Sequence, residues 1–150
     1  MQNRLTFELN KFVGMVNLAG NHILREQFDV NFSEFLMLIG LLSLGDIPQK
    51  DLAAFSGLSK GMVSRLVVGL KARELLTIEG NATDRRQDIV RLTPAGRDLA
   101  VSSADALEKA FVTYIVQDIS PAEMEAFSGT LNKLITNVTS LSVGMPKGKE

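Results

Sequence analysis

Near both ends of the chain, apolar residues recur at alternating steps of four and three. The first series is Leu5, Leu9, Phe12, Val16, Ala19 and Ile23; the second is Met124, Phe127, Leu131, Leu134, Val138 and Leu141. Such a rhythm returns to one face of an α-helix, so each series predicts a long helix with a single apolar seam. The second helix has a marked start in Ser120-Pro121-Ala122-Glu123. There Ser120 can cap, Pro121 suits the first helical position, and Glu123 can reach back to the cap amide. Thr93-Pro94 opens the preceding helix in the same way, and that helix is expected to run through Leu107, Phe111 and Tyr114 to about Gln117. Residues 33–45 (SEFLMLIGLLSLG) are apolar nearly all round, which predicts a buried helix capped by Ser33 and ended by Gly45. The near absence of β-branched residues there argues against a strand.

The middle of the chain changes rhythm. Leu52 and Phe55 share one face of a short helix, Ser56-Gly57-Leu58 is a break, Ser59 caps, and Val63, Leu66 and Leu70 line a second helix. Ala53 is small where two helices must cross closely, Gly57 suits a left-handed turn, and Val63 can fill the space between them. This combination predicts a helix-turn-helix. Two short β-type runs follow, LLTIE (75–79) and DIVRLT (88–93), which predict a hairpin with NATDRRQ (81–87) at its tip. The fold class expected is mainly α with a small β-hairpin, or α+β.

Composition narrows the function classes. A chain of 150 residues, 45% of them hydrophobic, can bury one core. There is no cysteine, and His22 is the only histidine, which removes disulfides, thiol chemistry and Cys/His zinc sites. The longest apolar run, FLMLIGLL (35–42), falls far short of the roughly 20 residues of a membrane span. No export signal is evident, so the expected location is cytoplasmic, with no membrane partner. Net charge is -1, but it is unevenly spread. Pro48 to Arg97 holds nine basic and five acidic residues, a balance of +4, and the remainder carries -5. A basic segment on an acidic carrier suits a polyanion partner.

The second helix of a helix-turn-helix offers its first turns to the major groove of DNA. Lys60, Ser64 and Arg65 are expected to face outward, with Met62 or Gly61 near a thymine methyl or the backbone. Ser59 and Lys50 complete the expected contacts on this unit. A hairpin directly after it is a wing, whose tip reaches the minor groove or phosphates, where Arg85 and Arg86 are well placed. Asp84 would repel phosphate by itself. Its expected part is to orient an arginine fork through a charge-assisted hydrogen bond; the plainer alternative is an exposed ion pair worth under about 1 kcal/mol.

From about Ser33 to Arg97 the chain resembles the MarR family of winged-helix transcription regulators. The resemblance is carried by the buried helix, by LAAFSGLSKGMVSRLVVGL, and by DRRQDIVRLTPAGR. The family's Asp-x-Arg wing motif is matched by Asp84 and Arg86, and its Leu-Thr-x-x-Gly-Arg by Leu92, Thr93, Gly96 and Arg97. It implies a winged helix-turn-helix over 33–97 and a helical dimerisation region from 1–32 and 98–144; residues 145–150 (MPKGKE), which have no apolar pattern, are expected to form a flexible tail. The resemblance further implies a homodimer on a pseudo-palindromic double-stranded DNA operator, acting as a repressor relieved by a small aromatic or acidic ligand. Members usually carry glycine where Glu74 stands, so Glu74 either strains a left-handed cap or lets the helix run on.

No cofactor or metal is expected, and enzymatic chemistry finds little support. His22 has no evident serine or carboxylate partner, and the methionines suit core filling. The competing reading of the same fold is a winged-helix protein-interaction module without DNA binding, favoured by the modest basic balance and by Glu74.

Overall fold

The computed structural model describes residues 2–80 and 88–144. The chain divides into two compact units, Met1–Ala110 and Phe111–Glu150. In the first, the order is α1 (Gln2–Phe28), α2 (Phe32–Leu44), β1 (Ile47–Pro48), α3 (Gln49–Ser56), α4 (Lys60–Ala72), β2 (Leu76–Glu79), β3 (Ile89–Leu92) and α5 (Pro94–Ala110). A mainly helical protein with a small antiparallel sheet is the architecture the sequence predicts.

Helix α2 is the centre of this unit. Its Met37, Leu38 and Leu41 are buried against Leu24 of α1, Leu52 of α3, Val63, Val67 and Leu70 of α4, and Val90 of β3. Each such side chain contributes about 1.5–3 kcal/mol on burial, which is why a helix surrounded by neighbours is apolar nearly all round. Gly40 lets α3 lie against it: a Cβ there would sit 2.8 Å from Leu52 Cδ1 and 2.9 Å from Phe55 Cδ1. The cap differs from expectation. Asn31, not Ser33, starts α2, because Asn31 Oδ1 accepts from the Glu34 amide at 2.9 Å while the Glu34 carboxylate accepts from the Asn31 amide at 2.8 Å. This reciprocal pair satisfies two end donors, and Ser33 falls inside the first turn. Gly45 ends the helix as expected, its amide donating to the Leu41 carbonyl.

The hairpin pairs Leu76 with Leu92, Thr77 with Arg91, Ile78 with Val90 and Glu79 with Ile89. A third strand was not legible in the sequence. Ile47 and Pro48 pair with Val90 and Ile89, giving the order β1-β3-β2. A two-residue strand carries no periodicity, and its proline is tolerated because the strand lies on an edge. Arg91 spans the sheet, with Nε 2.7 Å from Asp46 Oδ2 and Nη1 3.2 Å from Glu79 Oε1.

In the second unit, the preceding helix does not continue to Gln117 in α form. A π-helical turn, Phe111–Ile115, follows α5 and is closed by the Val116 amide on the Phe111 carbonyl at 3.2 Å. Helix α6 (Pro121–Gly144) begins where predicted. The Ser120 amide and hydroxyl both donate to Glu123 Oε2, at 2.9 and 2.6 Å, and the Glu123 amide donates back to Ser120 Oγ at 3.3 Å. Of its seam, Met124 and Leu131 are half-buried, while Phe127, Leu134, Val138 and Leu141 are exposed. Within the first unit, the N-terminal half of α1 likewise exposes Leu5, Phe7, Phe12, Val13, Met15 and Leu18. No single helix among the described residues is long and apolar enough to cross a membrane.

Candidate nucleic-acid interface

Helices α3 and α4 meet at the three positions the sequence singles out. Ala53 and Val63 are buried between them, and Gly57 is left-handed at φ 68°, its amide donating to the Ala53 carbonyl at 3.1 Å. The turn is tightened by Ser56 Oγ, which donates to the Ala53 carbonyl and accepts from the Leu58 amide. Ser59 Oγ accepts from the Met62 amide at 3.2 Å and caps α4. These contacts hold α4 with Val63, Val67 and Leu70 turned to the core. The opposite face, with Gly61, Ser64, Arg65 and Val68, is exposed.

The expected contact residues fall in three groups. Lys60, Gly61, Ser64 and Arg65 lie together on the exposed side of α4, Ser59 stands at its start, and Lys50 is exposed on the first turn of α3. Met62 stands apart. It is 38% exposed, and it turns with Leu66 toward a cavity shared with Asn21 and Arg25 of α1 and with Asn31 and Phe32. Asp84, Arg85 and Arg86 lie outside the described residues. Val68, 63% exposed, joins this outer face, a position that the sequence reading does not single out although its phase around the helix, three residues after Arg65, is the signal that finds it.

Not every cation of the basic stretch is free. Arg91 is held between Asp46 and Glu79, and Arg73 lies 3.5 Å from Glu34 and 3.9 Å from Asp29. Arg73 thereby ties the end of α4 to the start of α2. Among the described residues, no cluster of three or more His, Cys, Asp or Glu side chains suits a metal ion.

A family model described as MarR family matches residues 28–87. The chain is 27% identical over 128 residues to YhbI of Bacillus subtilis, an uncharacterised HTH-type transcriptional regulator, covering 81% of this chain and 76% of the relative. A MarR-family transcriptional regulator from Silicibacter pomeroyi superposes with a TM-score of 0.74 at 27% identity, covering 89% of each chain. Over residues 28–87 the chain is similar to the MarR family.

The fold is also similar to that of BpsR of Bordetella bronchiseptica, a protein whose DNA binding is regulated by 6-hydroxynicotinic acid. It matches at a TM-score of 0.67 and 23% identity, over 85% of this chain and 98% of that one.

Two features of this chain gain a physical reason from the geometry. The first is the Leu-Thr-x-x-Gly stretch. Thr93 Oγ1 donates to the Glu74 carbonyl at 2.7 Å and accepts from the Gly96 amide at 3.0 Å, while the Thr93 amide donates to the Leu75 carbonyl at 3.2 Å. A Cβ on Gly96 would overlap that Leu75 carbonyl oxygen. Thr93 therefore pins β3 and the start of α5 to the end of α4, and only glycine permits the approach. The second is Glu74. It adopts φ 57°, with its amide bonded to the Lys71 carbonyl and the Leu75 amide to the Leu70 carbonyl. That pattern is a Schellman ending, so of the two alternatives the strained left-handed cap is the one realised.

Proposed function

We propose that this chain is a dimeric DNA-binding transcription regulator that inserts α4 into the major groove and is released from its operator by a small ligand. The observation that carries the reading is the division of α4: a buried face anchored by Val63, Val67 and Leu70, and an outer face carrying Gly61, Ser64, Arg65 and Val68, free of internal partners for Arg65 among the described residues. Helix-turn-helix proteins place such a face against base edges, with arginine read bidentately onto guanine. Lys50, Lys60, Arg85 and Arg86 add the phosphate and minor-groove contacts that set affinity.

The exposed apolar residues of α1 and of α6 support a homodimer, since apolar faces of this size are covered by a partner in a stable protein. In a two-fold dimer the two α4 helices meet successive major-groove faces about 34–36 Å apart, which is why the operator is expected to be pseudo-palindromic. A cavity of about 310 Å³ bounded by Asn21, Arg25, Asn31, Phe32, Met62 and Leu66 suits a small aromatic acid, with Arg25 for the carboxylate and Phe32 for the ring. Met62 and Leu66 belong to α4, so an occupant that binds one placement of α4 better than another shifts its fit to DNA. Relief of repression by such a ligand is part of this proposal.

The test is selection of genomic DNA fragments by the purified protein at two salt concentrations, beside Arg65→Gln. Recovery of an inverted repeat, bound roughly tenfold more weakly by the variant and with its preference at one guanine per half-site relaxed, supports the reading. No enrichment at either salt overturns it.

A further inference from the structure

Helix α4 contains two glycines that the fold does not need. A Cβ built on Gly61 or on Gly69 meets nothing within 4 Å, in contrast to Gly40 and Gly96, where packing forbids a side chain. Each glycine inside a helix costs about 1 kcal/mol relative to alanine. Between them stands Val68, 63% exposed, on the same side as Arg65 and Ser64. Gly61, Ser64, Arg65 and Val68 are spaced i, i+3, i+4 and i+7. That spacing defines one ridge of a helix, and it is the spacing by which a helix lying in a major groove reads successive bases. On this ridge Gly61 and Ser64 project little, leaving Arg65 and Val68 as the two side chains that stand out.

We infer that Val68 is a sequence-reading residue that contacts the C5 methyl group of a thymine, next to a guanine read by Arg65. The inference rests on the DNA-binding reading of α4. Thymine is the only base of DNA that presents a methyl group in the major groove, and an isopropyl group can be matched there only by an apolar patch. Val68 lies three residues beyond Arg65, about 4.5 Å along the helix axis. Base pairs are stacked about 3.4 Å apart, so the thymine falls one or two steps from the guanine. Met62 does not take this part, because its side chain lines the cavity on the flank of α4.

The experiment uses the operator obtained by selection. Each thymine is replaced in turn by uracil, which removes only the methyl group, and affinity is measured for the wild type and for Val68→Ala. Val68 is exposed and makes no core contact, so the variant folds; circular dichroism confirms this. The expected result is a loss of about fourfold at one thymine per half-site for the wild type, the effect of one buried methyl-sized group, and no loss at that thymine for Val68→Ala. Binding indifferent to every uracil, or an equal uracil penalty in Val68→Ala, overturns the role of Val68 while leaving the regulator reading intact. Failure to select any operator overturns both.

Discussion

Gly96→Ala and Gly69→Ala make the same chemical change in two helices, and the structure assigns them opposite signs. At Gly96 the new Cβ would occupy the place of the Leu75 carbonyl oxygen, which is backbone and has no rotamer by which to yield. The first turn of α5 must therefore move off β2. That movement stretches the Thr93 amide bond to Leu75 and the Thr93 hydroxyl bond to Glu74, at 3.2 and 2.7 Å in the native fold. Each bond contributes about 1 kcal/mol net, and the overpacking adds about 1–3 kcal/mol. Against this stands a gain of about 1 kcal/mol in helix propensity. The net loss is about 3 kcal/mol, a large share of the roughly 5–15 kcal/mol that holds a domain folded. Gly69→Ala meets open space, so only the propensity gain of about 1 kcal/mol remains. In thermal unfolding at one fixed protein concentration, Gly96→Ala should melt about 6–12 °C lower and Gly69→Ala about 2–4 °C higher. A Gly96→Ala protein melting within about a degree of wild type would refute the reasoning, because it would mean that α5 shifts off Leu75 at no cost.

Glu74→Gly should raise stability by about 0.5–1 kcal/mol, the relief of a left-handed non-glycine cap less the greater freedom of glycine in the unfolded chain; urea unfolding shows it as a higher midpoint, and a lower one contradicts the cap assignment. Arg91→Gln should leave the salt slope of DNA binding unchanged, since Asp46 and Glu79 already neutralise this arginine, whereas Lys60→Gln lowers it; equal changes would show that Arg91 meets phosphate. The Ser120 hydroxyl, followed by the Ser120 amide, holds the Glu123 carboxyl below its ordinary 4.5. A depressed carboxyl stabilises the fold above its unfolded value and loses that contribution as pH falls through the folded one. An NMR titration should find Glu123 titrating below 4.5 and returning toward it in Ser120→Ala; an unmoved midpoint would remove the hydroxyl as the cause.

Patterns that are local in the chain were legible without the fold. The seams of α1 and α6, the apolar α2, the Ser120 cap and the Ala53, Gly57, Val63 signature depend on spacing within a few residues, and a helix repeats that spacing in space. The winged helix-turn-helix followed from them. Other features depend on what a distant segment brings near. Pairing of Ile47 and Pro48 with β3 has no periodic trace, and Asn31 displaced Ser33 as the cap through an Asn-x-x-Glu box that was overlooked. Opposed partners neutralise Arg91 and Arg73 although both count as basic in the chain. The outward ridge of α4 was half legible: Gly61, Ser64 and Arg65 stood out by type, whereas Met62 was assigned to the groove and Val68 was passed over. Composition names a residue's chemistry, but only the direction in which the folded helix points it decides whether that chemistry meets the core, a cavity or a partner.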